Sequence, residues 1–180
     1  VNYVKGCSFV DLFVEKCAED KRFLRVFERV FSQSPFLSEV VLRYPELPFE
    51  IYDSEDINRA LSSEEWIERI KLSDVRLSNE EVISKLKEMG LITFQGNRYE
   101  LKPLMNFLRW EYKKCLFRIA VRDIVFHQDV TSIAEDLSNL ADGLLKIVYK
   151  ILYSLSTLRY GEPRIVREDS NPRVCRFVIL

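Results

Sequence analysis

The side chains that could do chemistry in this chain are few and scattered. His127 is the only histidine, and a lone histidine with no second histidine or cysteine nearby is a poor start for a metal site or a catalytic triad. Its neighbours Gln128 and Asp129 instead favour a polar loop or the end of a helix. The glycines are isolated, so no glycine-rich loop can hold a phosphate. The sequence therefore predicts no catalytic residue and no metal site.

Carboxylates are abundant, but they fall where helices are predicted to begin. The pairs Glu64-Glu65 and Glu80-Glu81 suit the first turn of a helix, where negative charge interacts favourably with the helix dipole. We interpret these pairs as helix-start residues rather than as a general acid and base.

Charge along the chain is uneven, although the formal net charge is only −1. Residues 46–81 carry eleven acids and four bases, and residues 109–122 carry five bases and one acid. Packed helix faces of complementary charge are one explanation, and a partner-docking surface is the other. With no strong overall field and no apolar stretch of about 18 residues, the sequence predicts neither a nucleic-acid partner nor a membrane.

The four cysteines have no metal-binding or redox spacing. Each lies in an apolar pattern, so all four are predicted to be buried free thiols of a protein in the reducing cytoplasm. They are Cys7, Cys17, Cys115 and Cys175.

Helix signals dominate the first hundred residues. Ser34 followed by Pro35 predicts a helix start, and Ser78 with Glu81 forms a capping box whose helix should end at Gly90. Residues 91–101 alternate around Gly-Asn and predict a small β-hairpin.

Two long helices are predicted near the end, over residues 103–126 and 132–160, as in an antiparallel helical bundle. The fold class is therefore all-α. The seam of the second long helix is predicted to contain Ile133, Leu137, Leu140, Ala141, Leu144, Val148, Ile151, Leu155 and Leu158.

The last residues break the helical pattern. Residues 176–180 read as a buried β-strand, and a single strand cannot satisfy its own backbone hydrogen bonds. We therefore expect a helical domain over 1–161, a polar linker over 162–173, and the first strand of a second, missing domain over 174–180.

Three stretches together resemble a known family. Residues 34–47 resemble the signature "SPFL…L…HPELL", residues 118–124 resemble "RIA-RDI", and residues 137–144 resemble "LS-LAD-LL". Their order and the final strand also match. The resemblance is to the glutamine synthetase adenylyltransferase (adenylyl-removing) family.

The resemblance implies a role without catalysis. In that family the corresponding strand leads into a nucleotidyltransferase domain with an acidic metal-binding motif. The chain would then be the helical portion preceding that domain, from the N-terminal half, and inactive alone. Mg and ATP are implied for the catalytic domain, and glutamine synthetase and the PII signalling protein are implied as partners.

The "RIA-RDI" stretch supplies the candidate site residues Arg118, Arg122 and Asp123. One interpretation is contact with another domain or partner. The other is pairing with Asp136 or Asp142 on the following helix.

Two other functions compete with the leading one. A helix ending at Gly90 and followed by a hairpin resembles part of a winged helix, which leaves a nucleic-acid-binding protein as an alternative. Its candidate recognition helix carries acids as well as lysines, which is unfavourable for phosphate binding. A free-standing helical scaffold is the third hypothesis.

Overall fold

The chain is all-α, as predicted. The computed structural model describes residues 10–52, 54, 56–72, 77–95, 98–167 and 170–174. The helices in these residues are α1 (Val10–Glu19), α2 (Lys21–Gln33), α3 (Pro35–Arg43), α4 (Leu47–Tyr52), α5 (Ser63–Ile70), α6 (Asn79–Glu88), α7 (Lys102–Ile124) and α8 (Val130–Tyr160). The strands are β1 (Thr93–Gln95), β2 (Arg98–Glu100), β3 (Arg164–Arg167) and β4 (Ser170–Val174).

The predicted helix boundaries are confirmed at Ser34, Ser78 and Gly90, whereas the second long helix begins at Val130 and not at residue 132. The Ser34 side chain accepts a hydrogen bond from the Leu37 N–H at 3.2 Å, at the start of α3. Ser78 and Glu81 form both bonds of the capping box at the start of α6. Gly90 has a φ of 67°, a left-handed conformation that glycine adopts without steric cost. Local chemistry therefore fixes these ends.

Two compact units divide the chain, and both long helices contribute to each. Unit 1 comprises Val1–Ser63 and Asn106–Ala141, and unit 2 comprises Glu64–Met105 and Asp142–Leu180. The predicted single helical domain over 1–161 thus contains residues of both units.

Unit 1 has a core of aromatic and branched side chains. On α2, Phe23, Val26 and Val30 are almost completely buried, because the three- and four-residue spacing puts them on one helix face. The rings of Phe13 and Phe27 meet edge to face with centroids 4.9 Å apart, a favourable arrangement. From α7, Phe117 and Val121 complete the cluster.

A hydrogen bond at the edge of this core makes the stability of the fold depend on pH. The Tyr52 hydroxyl donates to Asp20 Oδ2 at 2.6 Å, and Asp20 also caps α2 by accepting from the Arg22 N–H. The bond from Tyr52, followed by that from Arg22, holds the pKa of Asp20 below its usual value. A depressed carboxyl pKa stabilises the fold above the unfolded-state pKa, and this contribution is lost as the pH falls through the folded value.

Replacing Tyr52 by phenylalanine should therefore raise the pKa of Asp20 towards its ordinary value. The variant should lose stability relative to the wild type at neutral pH, and the difference should shrink as the pH falls through the Asp20 titration. NMR titration of the Asp20 carboxyl, with urea unfolding at several pH values, checks both. An unchanged Asp20 pKa would show that the bond does not form.

Unit 2 is organised around α5, α6 and the later part of α8. Trp66 and Leu86 are fully buried. The Ser154 hydroxyl donates to Asn79 Oδ1 at 3.0 Å, and Lys146 Nζ lies 3.1 Å from Glu64 Oε1. The predicted hairpin is confirmed, with Phe94 paired with Tyr99 in an antiparallel register.

The predicted seam of α8 needs correction. Leu140, Ile151 and Leu155 are buried as expected, but Leu137 and Leu158 are exposed, Ala141 is exposed, and Leu144 and Val148 are only partly buried. The buried face is rotated towards Asp136, Gly143, Ile147 and Ser154. Near the start of the helix the reason is electrostatic, because the ion pairs with Arg118 and Arg122 hold Asp136 on the inner face.

Most of the segment assigned to a polar linker forms an antiparallel hairpin. Strand β3 pairs with β4, with Arg164 opposite Val174 and a register irregularity between Ile165 and Arg167. The β-branched residues Ile165, Val166 and Val174 favour strands. Their charged neighbours and Pro172 made the segment look like a polar linker in the sequence. The strand predicted at 176–180 lies outside the described residues, so the second-domain assignment stays a prediction.

The cysteines and the helix lengths complete the comparison with the sequence. Cys115 is a buried cysteine, as predicted, whereas Cys17 is only partly buried. Burial still raises the pKa of Cys17. Cys7 and Cys175 lie outside the described residues. Even the longest helix in the described ranges lacks an apolar run that could cross a membrane.

Candidate functional site

Two arginines of α7 converge on one carboxylate of α8. Arg118 Nη1 donates to Asp136 Oδ2 at 2.9 Å, and Arg122 Nη1 donates to the same oxygen. All three side chains are fully buried. One of the two interpretations weighed for the arginines, pairing with Asp136, is therefore what the structure shows. We call this cluster the arginine–aspartate network.

The turn between α7 and α8 brings these residues together. His127, with a φ of 50°, adopts the left-handed conformation that ends a helix, and the Gln128 N–H donates back to the Arg122 carbonyl at 3.1 Å. Asp129 Oδ2 accepts from the Thr131 N–H at 2.9 Å. The Thr131 hydrogen bonds also hold the pKa of Asp129 below its usual value. His127 thus has the helix-ending position that its neighbours indicated.

The guanidinium groups also bind backbone carbonyls of the loop between α4 and α5. Arg118 Nη2 donates to the carbonyl oxygens of Asp56 at 2.7 Å and Arg59 at 3.0 Å. Arg122 Nε donates to the Ile57 carbonyl at 3.0 Å. Side chains of α7 therefore satisfy loop carbonyls that a regular element would satisfy through its own backbone.

Helix α8 holds the end of the same loop. Asp136 Oδ1 accepts from the Leu61 N–H at 3.1 Å, and Asn139 Nδ2 donates to the Leu61 carbonyl at 2.8 Å. Ser132 Oγ accepts from Arg122 Nη2 at 2.8 Å. Asn139 and Ser132 were not predicted as site residues. The sequence feature that could have identified them is the row of polar residues at positions 132, 136 and 139, which share one helix face.

The network is suited to holding structure rather than to proton transfer. Arginine does not lose its proton in proteins, and both Asp136 oxygens accept hydrogen bonds. Asp56 adds a second negative charge, with its Oδ1 3.7 Å from Arg118 Nη2. Two guanidiniums thus face two carboxylates, which is the pairing that buried charge requires.

Asp123, the third predicted site residue, has a different environment. It is exposed and lies at a groove of about 400 Å³ within unit 1. We call this the Asp123 groove. It is lined by Gln33, Ser34, Phe36, Leu37, Leu116, Ile119, Ala120, Asp123, Ile124, Ile133 and Leu137. Of the three motif residues, Asp123 alone is available for direct contact with another molecule.

All three signature-like stretches contribute to the Asp123 groove. The first supplies Phe36, the second supplies Asp123, and the third supplies Leu137. Phe36 is 39% exposed and Leu137 is 43% exposed, so both present apolar surface to the solvent. The groove is the second candidate site, and the sequence missed it because its lining comes from distant parts of the chain.

The described residues do not fit a magnesium–nucleotide site. No group of three or more histidine, cysteine, aspartate or glutamate side chains that could hold a metal occurs within them. Asp136, the fully buried carboxylate of the arginine–aspartate network, is already occupied by two arginines. Hard cations need several free oxygen ligands.

Comparison with known proteins gives the family. Two curated relatives are each a "bifunctional glutamine synthetase adenylyltransferase/adenylyl-removing enzyme". The one from Vibrio parahaemolyticus is 24% identical over 156 residues, covering 87% of this chain and 14% of the relative. The one from Haemophilus ducreyi is 23% identical over 169 residues, covering 94% and 16%.

The chain thus spans about a seventh of the length of the relatives it matches. No solved structure matches it. The family model described as glutamate-ammonia ligase adenylyltransferase matches residues 24–180, which is most of the chain. The resemblance in the three signature-like stretches is therefore confirmed, and the chain belongs to the glutamate-ammonia ligase adenylyltransferase family.

Proposed function

We propose that this chain is a non-catalytic helical portion of a glutamine synthetase adenylyltransferase or deadenylylase. Its role would be to position a nucleotidyltransferase domain and to contribute to partner binding in nitrogen regulation. The observation that carries the proposal is the family match over residues 24–180, combined with polar groups that hold the fold rather than a substrate.

The arginine–aspartate network supports the positioning role. Arg118, Arg122 and Asp136 tie the loop at residues 56–61 to α7 and α8 through buried hydrogen bonds. A scaffold must keep its surfaces in fixed geometry, and buried hydrogen bonds between charged side chains and a loop favour one arrangement of that loop. Arg118 and Arg122 therefore act as positioning residues in this proposal, and Asp123 is the contact residue.

The cofactors belong to the catalytic domain in this proposal. Two-metal phosphoryl transfer needs free carboxylates and a phosphate-binding loop. We assign Mg and ATP to the nucleotidyltransferase domain that the resemblance implies. The described helical residues would bind neither.

The proposed partners follow from the relatives. Their names give glutamine synthetase as the target, and we propose it as the target here, with the PII protein as regulator and the cytoplasm as location. Nucleic acid is not part of the proposal, because α6 exposes Glu80, Glu81 and Glu88, which phosphates would repel.

The test is direct. The purified chain, mixed with glutamine synthetase, Mg and radiolabelled ATP, should transfer no adenylyl group, yet it should bind glutamine synthetase in a calorimetric titration. The full-length enzyme is the positive control for transfer. Transfer by the chain alone, or failure to bind glutamine synthetase, would each contradict a stated part of the proposal.

A further inference from the structure

We propose that the Asp123 groove is the docking site for a helix of a partner protein. That helix would present bulky apolar side chains beside a lysine or arginine, and the cation would pair with Asp123. The inference deepens the partner-binding role proposed above and rests on it. It concerns the chemistry of the contact, whichever partner supplies the helix.

The size and walls of the groove suit apolar anchors. A volume of about 400 Å³ lies in the range of small-molecule pockets in proteins. Phe36 and Leu137 are substantially exposed, whereas Leu37 and Ile119 behind them are buried. Covering the two exposed side chains would remove apolar surface from water, which favours association.

Charge decides which polar group the partner should carry. Asp123 is the only charged side chain among the described residues that line the groove. It forms no ion pair with another residue in the described part of the chain. A carboxylate at the edge of an apolar surface favours a cation at the matching place on the partner, because a second carboxylate there would be repelled.

The lining along α7 has a length that a docked helix would match. Leu116, Ala120 and Asp123 are spaced by four and three residues, so they line one face over about two turns, or about 10 Å. An amphipathic helix places its apolar anchors at the same spacing when it lies in a groove. Its cation would extend beyond the anchors towards Asp123.

The experiment uses the full chain and two synthetic helical peptides of about 14 residues. Both peptides carry leucines at helical spacing. The lysine peptide has a lysine next to the leucines, and the glutamate peptide has a glutamate at the same position. Fluorescence anisotropy of the labelled peptides should give about fivefold tighter binding of the lysine peptide, as expected for one partly exposed ion pair.

Charge reversal provides the decisive variant. Asp123→Lys should reverse the preference, so that the glutamate peptide binds about fivefold tighter. Leu137→Asp should weaken both peptides at least about tenfold, with Phe36→Ser as a second variant should Leu137→Asp fail to fold. Glu28→Lys is the matched control: Glu28 is exposed on α2 and does not line the groove, so it should change nothing.

Three results would overturn the proposal. The first is that Asp123→Lys leaves the peptide preference unchanged. The second is that neither peptide binds the folded wild-type chain. The third is self-association of the wild type, seen by sedimentation and abolished by Leu137→Asp, because the occupant would then be a second copy. Binding of glutamine synthetase is measured in a separate experiment. Failure of the groove proposal can therefore be told apart from failure of the proposed function.

Discussion

Replacing Asp136 by alanine should lower the free energy of unfolding by about 3–5 kcal/mol, the usual cost of removing one partner from a buried ion pair. Two fully buried guanidiniums lose their shared carboxylate, and the Leu61 N–H loses its acceptor. Urea unfolding followed by circular dichroism measures the loss.

A second aspartate on the same helix gives the control. Asp142 is about half exposed and pairs with Lys146 at 2.8 Å, so Asp142→Ala should cost at most about 1 kcal/mol. Equal losses for the two alanine variants would contradict the buried network.

Replacing all three residues of the cluster by apolar ones separates the contribution of the charges to stability from that of the hydrogen bonds. The triple variant Arg118→Met, Arg122→Met, Asp136→Leu removes the two guanidiniums and their shared carboxylate together. Such apolar replacement often restores stability, although Asp56 then loses its ion pair with Arg118. Here, however, the loop carbonyls of Asp56, Ile57 and Arg59 would lose their donors. We therefore expect the triple variant to stay less stable than the wild type.

Replacing Ile147 by aspartate should also be strongly destabilising. Ile147 is fully buried, and a buried carboxylate without a partner costs several kcal/mol. The variant should lose more than about 3 kcal/mol of stability, seen as a lower melting temperature and loss of cooperative unfolding.

The comparison with Leu144→Asp tests the corrected seam. Leu144 was the predicted seam residue, but its side chain is only partly buried. A carboxylate there can reach water, so Leu144→Asp should cost clearly less than Ile147→Asp. If the order is reversed, the predicted seam is right and the face described here is wrong.

Local signals were enough to predict most helices. Ser34, Ser78 and Gly90 act through bonds to near neighbours, and each marks an observed boundary. The phase of α8 could not be predicted in the same way. An aspartate in a leucine-rich helix is predicted to be a surface residue unless the residues that pair with it are known. Those partners, Arg118 and Arg122, are 18 and 14 positions away.

For the candidate site, too, the sequence predicted one part and only the structure revealed the other. The sequence identified Arg118, Arg122 and Asp123 from a signature and left their role between two interpretations. Burial separates them in the structure, with both arginines inside and Asp123 outside. The groove beside Asp123 was beyond sequence reasoning, because it is lined by residues 33–37 and by residues 116–137, which are about 80 to 100 positions apart along the chain.

The loop at residues 56–61 has a consequence for folding during synthesis. Its anchors on α7 and α8 lie 59 to 78 residues later in the chain. Contacts of such long range are formed only after a large loop-closure entropy has been overcome, and they slow folding. As the chain leaves the ribosome, α1 to α4 can form early. The loop that follows them should stay open to proteases and chaperones until Asn139 has emerged.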